Sequence, residues 1–166
     1  MRAKRIWARI WPFFPAAAWY AVITALSSQT GSESSQVSDS MALQLFELGL
    51  LDGRGGAAVW MEWVTFILRK GAHMGAYFLL TALLLFGLGR ILERPALRGG
   101  CALALCAGLA GLDEFHQTFV PGRSGQLRDV LIDLGGGLAC VLLWLAARRI
   151  LRRWRSSHPK KETPGT

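Results

Sequence analysis

Four long apolar runs, separated by short polar segments, decide which folds are open to this chain. They cover about residues 11–28, 71–89, 99–120 and 127–147. Each run has close to the ~20 residues that an α-helix needs to cross a bilayer. Hydrocarbon offers no water to backbone N–H and C=O groups, so a spanning segment of this kind is helical. Hydrophobic residues make up 52% of the 166 residues, which agrees with this class. The sequence therefore predicts an all-α integral membrane bundle of four transmembrane helices.

Basic residues are distributed unevenly between the polar segments. Fourteen of the 19 Lys and Arg residues lie in the two chain ends and in the linker at residues 90–98. The positive-inside rule then predicts that both termini are cytoplasmic. Residues 1–147 form the predicted transmembrane domain, and residues 148–166 a basic cytoplasmic tail that we expect to fray. The net charge of +8 does not indicate nucleic-acid binding, because the basic residues flank apolar runs and form no aromatic-studded face.

The first outer loop combines a serine-rich stretch with an amphipathic one. Residues 27–40 alone resemble a flexible linker. Asp39 or Ser40 is expected to cap a short helix over residues 41–51, and the glycines that follow are expected to end it. Residues 57–68 are too few to span a bilayer, so we expect them to lie in the membrane interface or to lead obliquely into the second span. We also expect the serine-rich part to fold back over the polar site described next.

A polar cluster interrupts the apolar pattern between the third and fourth runs. Asp113 lies three residues before His116 and four before Gln117, so these side chains can face one direction on a helix. Asp129 and Asp133 are spaced i, i+4 and stack on one face of the fourth span. Polar residues in or beside hydrocarbon are unfavourable and commonly functional. The cluster is therefore the candidate site of the protein.

Asp133 is the member of this cluster whose charge is least favourable at its predicted position in the membrane. A free carboxylate two turns into a span costs about 2.5–3.5 kcal/mol on insertion scales, so it needs a cation, a bound ion or a proton. The candidate cations from the same side are Lys70, Arg123, Arg128 and protonated His73. A purely structural interpretation is that the cluster fixes helix packing through interhelical hydrogen bonds, each contributing about 0.6 kcal/mol. The number of charged groups exceeds what packing of four helices requires.

Three sequence blocks resemble the VanZ-like membrane proteins. They are SSQTGSESSQVS at residues 27–38, RKGAHMGAY at 69–77 and DEFHQTFVPGRSGQLRDVLIDLGG at 113–136. Gly71 and Met74 depart from the bulkier or aromatic residues usual there, which affects packing more than chemistry. The positions that match the family pattern are Ser28, Gln29, Lys70, His73, Tyr77, Asp113, Glu114, His116, Gln117, Arg123, Asp129 and Asp133. The resemblance implies a multi-pass protein of the bacterial cytoplasmic (inner) membrane, whose namesake is linked to low-level teicoplanin resistance, and it implies no established reaction.

Binding of an amphipathic envelope ligand is the first functional hypothesis. The ligand is a lipid headgroup or a lipoglycopeptide at the outer leaflet of the lipid bilayer. Lys70 and Arg123 are expected to contact its phosphate or carboxylate groups, and Ser28, Gln29 and Gln117 to supply hydrogen bonds. The candidate ligand-binding residues are Ser28, Gln29, Lys70, Tyr77, Gln117, Arg123 and Asp129.

An intramembrane enzyme acting on lipid-linked phosphate or acyl groups is the alternative. Its candidate acids, bases or ligands are His73, Asp113, Glu114, His116 and Asp133. Arg123 would stabilise charge that develops on phosphate. A divalent metal ion is a possible cofactor, held by His73, Glu114, His116 and Asp133. The spacing Glu114-x-His116 is no recognised metal signature. An ion- or proton-coupled transporter is a third class, for which four spans are few unless the chain dimerises; the sequence leaves the oligomeric state open.

Overall fold

A computed structural model describes residues 7–48 and 57–157 of the chain. Within these residues the chain forms five α-helices and no strand. The helices are α1 (Phe14–Ser27), α2 (Gly31–Glu47), α3 (Ala57–Leu88), α4 (Pro95–Gln117) and α5 (Leu127–Ser157). Four helical segments are long and apolar enough to cross a membrane. They are Trp7–Ser27, Met61–Leu88, Pro95–Gln117 and Leu127–Ser157. The predicted all-α bundle with four membrane-spanning helices is confirmed.

The centre of the bundle is formed by α3, α4 and α5. Its buried side chains include Tyr77, Leu80, Leu84, Ala102, Cys106, Ala110, Cys140 and Val141. Small residues allow the backbones of α3, α4 and α5 to approach one another closely. A Cβ on Gly136 of α5 would overlap the Met74 carbonyl oxygen of α3, and a Cβ on Gly137 would lie 2.7 Å from the Cys106 sulfur of α4. The first span, α1, joins the bundle through the indole N–H of Trp19, which donates to the Ala76 carbonyl at 2.9 Å.

The helix α3 is longer than the predicted second span at residues 71–89. It begins at Ala57 and continues without a break to Leu88. Residues 57–68 thus form the first three turns of α3. Of the two arrangements predicted for them, the structure shows the one in which they lead directly into the second span. No proline lies within α3, and its glycines at positions 71, 75 and 87 each cost about 1 kcal/mol, too little to end a helix that packs along its length.

The helix α2 begins earlier than predicted. Thr30 is its N-cap, with a capping box in which the Thr30 hydroxyl accepts from the Glu33 N–H and the Glu33 carboxylate accepts from the Thr30 N–H. A start at Asp39 or Ser40 is therefore wrong, and both residues lie inside the helix. The predicted end at residue 51 and the glycines after it lie outside the described residues.

The third and fourth spans also differ from their predicted ends. α4 ends at Gln117 rather than near residue 120, because the N–H groups of Thr118, Phe119 and Val120 each donate to a carbonyl three residues back and tighten the chain into turns. α5 continues ten residues beyond the predicted end at 147, so fraying from residue 148 is wrong for residues 148–157. Residues 158–166 of the predicted tail lie outside the described residues.

Candidate ligand site between α2, α3 and the α4–α5 loop

The candidate site lies at the end of the bundle opposite the N-terminus of α1. The C-terminal ends of α1 and α4, the start of α5 and the loop at residues 118–126 meet there, and α2 packs against α3 beside them. The N–H of Gly31, the first residue of α2, donates to the Pro121 carbonyl at 3.2 Å. Gly122 has a φ of 74°, which lets the loop turn back toward α2. The serine-rich segment is thus a helix docked on the loop.

Asp113 is the centre of a buried hydrogen-bond chain that links α1, α4 and the loop. Its Oδ2 accepts from the Ser27 hydroxyl at 2.8 Å and from the Gln117 amide at 3.0 Å. The Gln117 amide oxygen accepts from Arg123 Nη1 at 3.0 Å. Arg123 Nε donates to the Gln29 carbonyl at 2.9 Å. The predicted proximity of Asp113 and Gln117 is thus observed, whereas Arg123, predicted as a candidate cation for Asp133, bonds to Gln117 instead. Ser27 was missed, and Gln29 contributes its backbone to the chain.

Several buried polar atoms nearby have no hydrogen-bond partner among the described residues. They are the second oxygen of Asp113, the Tyr77 hydroxyl and Oδ1 of Asp133. Asp133 is 2% exposed, and its Oδ1 lies 3.9 Å from Nδ1 of His73, beyond hydrogen-bond distance. Buried polar groups are usually paired, so this cluster is not explained by helix packing alone.

The other predicted partners of Asp133 are engaged elsewhere. Lys70 Nζ forms an ion pair with Asp129 Oδ1 at 2.6 Å. Arg128 stacks over the Phe66 ring, with its guanidinium carbon 5.4 Å from the ring centroid. Of the four candidate cations, His73 is the one that lies within 4.0 Å of Asp133 among the described residues, and Lys70, Arg123 and Arg128 do not pair with it.

Glu114 and His116 have hydrogen-bond partners outside this cluster. Glu114 Oε2 accepts from the Gln126 N–H at 2.8 Å and so holds the end of the loop against α4. His116 Nε2 lies 3.1 Å from the Ser28 hydroxyl, at the junction that follows α1. In the part of the chain that the structure describes, no three His, Cys, Asp or Glu side chains are close enough to share a metal ion. The four residues predicted as possible metal ligands do not converge.

A polar cavity of about 380 Å³ lies between α2, α3 and the loop. Its charged and titratable lining comprises Arg69, Lys70, His73, Arg123 and Asp129. The lining from α2 is small and polar and comprises Gly31, Ser32, Ser34 and Ser35. Burial lowers the pKa of the Arg123 guanidinium, and the neighbouring Arg69 adds to this effect, yet arginine stays charged in proteins. The cavity is therefore suited to an anionic group.

An apolar cavity of about 200 Å³ adjoins the polar cavity. The two share Ser34, Arg69, His73 and Arg123. The apolar lining of the second cavity includes Ile23, Leu26, Val37, Met41, Leu68, Ala72 and Ala76. Leu26 and Val37 are each more than half exposed, so this cavity is open toward the side of the bundle.

Arg69 is a second residue, after Ser27, that the predicted site did not include. Its Nη2 donates to the Ser35 hydroxyl of α2 at 2.8 Å, and its side chain borders both cavities. A third cavity of about 660 Å³ between α2 and α3 also includes it. The signal was present, because Arg69 precedes His73 by four residues and so shares its helix face.

Taken together, the four apolar helices and the cationic cavity at one end define a multi-pass helical membrane protein with a polar site between its helices. A family model described as VanZ/LLP1 matches residues 13–151. The chain therefore belongs to the VanZ/LLP1 family, which confirms the family that the three sequence blocks resemble. No curated protein and no solved structure matches the chain.

Proposed function

We propose that the protein binds an amphipathic ligand of the bacterial envelope, either a lipid headgroup or a lipoglycopeptide, at the outer leaflet of the cytoplasmic membrane. Through this binding it contributes to tolerance of glycopeptide antibiotics, in line with its family. The observation that carries the proposal is the polar cavity lined by three cations and joined to an apolar cavity through shared residues. An anionic headgroup fits the first and an acyl or prenyl chain fits the second.

The charge balance of the polar cavity favours an anion. Lys70 is neutralised by Asp129. Arg69 and Arg123 bond to neutral groups, namely a serine hydroxyl, a carbonyl and an amide, and neither pairs with a described carboxylate. Guanidinium groups bind phosphate and carboxylate in bidentate fashion, and burial strengthens the interaction. Two arginines on different elements can thus hold one phosphate group.

The position of the site favours a ligand that arrives from the membrane. The charge asymmetry of the chain predicts that this end of the bundle lies at the outer face. The apolar cavity is bordered by exposed Leu26, Val37 and Met41, which offer a lateral path for a hydrocarbon chain. A soluble anion would use the polar cavity alone.

Binding to the purified full-length chain in detergent tests the proposal, with a polyprenyl phosphate and teicoplanin as separate probes. We expect Arg69→Gln and Arg123→Gln each to weaken binding of the active probe at least about tenfold, since a hydrogen bond to a charged group contributes ~1.5–3 kcal/mol. Arg128→Gln is the matched control, because this cation lies at the same end but does not line the polar cavity. Full affinity in both test variants, or no binding of either probe to the wild type, overturns the proposal. A teicoplanin susceptibility assay with the same variants checks the cellular consequence.

Acid–base chemistry on a lipid-linked phosphate or acyl group is the second candidate function. It is favoured by one observation: His73 lines the polar cavity while its Nδ1 faces the buried carboxylate of Asp133 at 3.9 Å. A histidine oriented by a carboxylate is a common general base. Turnover of the bound lipid that disappears in His73→Ala, while binding persists, supports this function. Metal analysis of the wild type beside His73→Ala and His116→Ala tests the metal-dependent form, which requires stoichiometric metal that both variants lose.

A further inference from the structure

The C-terminal part of α5 carries a row of aligned basic side chains, called here the basic stripe, at the end of the bundle opposite the polar cavity. α5 has 31 residues and is ~46 Å long at 1.5 Å per residue, which exceeds the ~30 Å of a bilayer core. Trp144, Arg148, Arg152 and Arg155 lie on one helix face at intervals of three or four residues. The stripe therefore begins at the hydrocarbon boundary and continues beyond it.

The start of the stripe is fixed by the bundle. The Trp144 ring contacts two guanidinium groups, with the Arg98 carbon 4.9 Å and the Arg148 carbon 5.0 Å from its centroid. Arg98 Nε also donates to the Leu85 carbonyl near the end of α3 at 2.8 Å. Two like charges are thus held on one ring by contacts among three helices, in a position where an anion would relieve their repulsion.

A cavity of about 210 Å³ continues the stripe, lined by Arg148, Leu151, Arg152 and Arg155. Among the described residues none of these arginines forms an ion pair with a carboxylate. Ile150 and Leu151 are 67% and 55% exposed on the same segment. Uncompensated guanidinium charge beside exposed aliphatic side chains matches the chemistry of a phospholipid at the membrane surface.

We propose that this stripe is a binding site for anionic phospholipid headgroups of the leaflet at the end of the bundle where α1 begins and α5 ends. The phosphodiester binds between Arg148 and Arg152, beside the exposed Leu151 on the same face of α5, which contacts the aliphatic part of the lipid. Trp144 lies at the interface level, where tryptophan side chains concentrate. The site lies at the opposite end of the bundle from the polar cavity, so it does not depend on the function proposed above.

Two double variants with the same loss of charge test this site. Arg148→Gln/Arg152→Gln removes the stripe, while Arg149→Gln/Arg153→Gln removes two arginines from the neighbouring face of the same helix. Full-length protein is reconstituted in nanodiscs of phosphatidylcholine alone or mixed with phosphatidylglycerol, and the thermal unfolding temperature is compared. We expect phosphatidylglycerol to raise this temperature equally in the wild type and in the Arg149/Arg153 variant, and most of the increase to be lost in the Arg148/Arg152 variant.

Equal loss in both variants indicates general surface attraction and overturns the proposal, as does no loss in either. If Arg148→Gln disturbs its stack on Trp144 and the protein fails to fold, Arg152→Gln/Arg155→Gln replaces it, with the same expectation. If soluble glycerol phosphate raises the unfolding temperature equally in the absence of phosphatidylglycerol, the site binds a free anion, and the proposal of a lipid site is overturned. A stronger increase with an oligonucleotide would reassign the stripe to nucleic acid.

Discussion

Gly31 of α2 and Gly122 of the α4–α5 loop meet backbone to backbone. A Cβ on Gly31 would overlap the Gly122 carbonyl oxygen, and the Gly31 N–H donates to the preceding carbonyl, that of Pro121. This contact holds the start of α2 against the loop that carries Arg123. The width of the polar cavity is therefore set by a contact that tolerates no side chain.

Gly31→Ala is expected to displace the start of α2 from the loop. The neighbour of its new methyl group is backbone, which cannot rotate away, so we expect a loss of about 1–3 kcal/mol, typical of overpacking. Thermal unfolding in detergent and hydrogen exchange across α2 are the measurements. Gly75→Ala is the control, because a Cβ at Gly75 meets no atom within 4 Å. Equal stability of the two variants would contradict the observed contact.

Three consecutive glycines in α5 provide an internal comparison. A Cβ at Gly136 would overlap the Met74 carbonyl of α3, whereas a Cβ at Gly135 meets nothing within 4 Å. Gly136→Ala is expected to separate α3 from α5 and to reduce the yield and thermal stability of the folded protein. Gly135→Ala is expected to be neutral or to stabilise the helix by up to ~1 kcal/mol through helix propensity. Matching losses in both variants would argue against the close approach of α3 and α5.

The hydrogen bond between Ser27 and Asp113 is suited to a double-mutant cycle. With Ser27→Ala, Asp113→Asn and the double variant, we expect a coupling free energy of about 0.6 kcal/mol and at most ~1.7 kcal/mol, the range for interhelical hydrogen bonds in membranes. A cycle on Thr65 and Asp39, which are 3.0 Å apart but exposed, is the control and should give a smaller coupling. Reversible unfolding in mixed micelles supplies the free energies. A coupling near zero for the buried pair would contradict its hydrogen bond.

The capping box at the start of α2 predicts a pH dependence. The backbone N–H of Thr30, followed by its hydroxyl, lowers the pKa of Glu33 from its ordinary value of 4.5. The stabilisation from a lowered carboxylate pKa is fully present above pH 4.5 and is lost as the pH falls through the folded-state pKa. We expect the amides of the first turn of α2 to exchange faster in that acidic range. Glu33→Gln, which can still accept from the Thr30 N–H, should remove this pH dependence. An unchanged pH dependence in Glu33→Gln would assign it to another group.

The spans were predictable from the sequence because hydrocarbon selects strongly for apolar residues, and the helix ends were not. Arg69 and Lys70 mark the end of an apolar run, yet α3 passes through them because charged residues are good helix formers once outside hydrocarbon. The same holds at Arg148 of α5. A change in hydropathy therefore marks the membrane boundary, and the helix ends where caps and turns require.

The start of α2 was signalled by a pattern that the composition concealed. Thr30 and Glu33 have the spacing of a capping box, but the serine content of the segment favours a linker. In the structure the Ser35 and Ser38 hydroxyls donate to the carbonyls of Gly31 and Ser34, four residues back. Their hydrogen-bonding capacity as donors is therefore satisfied within the helix. Contacts with α3 and the loop supply the stability that composition does not.

The members of the polar cluster were predictable, and their partners were not. Spacing along one helix places Asp113 beside Gln117, as observed. Whether Lys70 reaches Asp133 depends on the rotation of α3 relative to α5, which no local pattern encodes. Arg128 lies five residues before Asp133 on α5 itself, and this spacing places the two on different faces of the helix. In the observed arrangement Lys70 forms an ion pair with Asp129, and His73 is the side chain that lies beside Asp133.

Because α3 is one continuous helix, it connects the two ends of the bundle as a rigid element. Near one end the Thr65 hydroxyl holds Asp39 of α2, and near the other end the Leu85 carbonyl holds Arg98. An α-helix of this length resists sharp bending in the absence of proline, so a tilt of α3 displaces both attachments together. Bilayer thickness influences the tilt of such helices. A change in the tilt of α3 at one leaflet is therefore expected to shift the helix beside the polar cavity at the other.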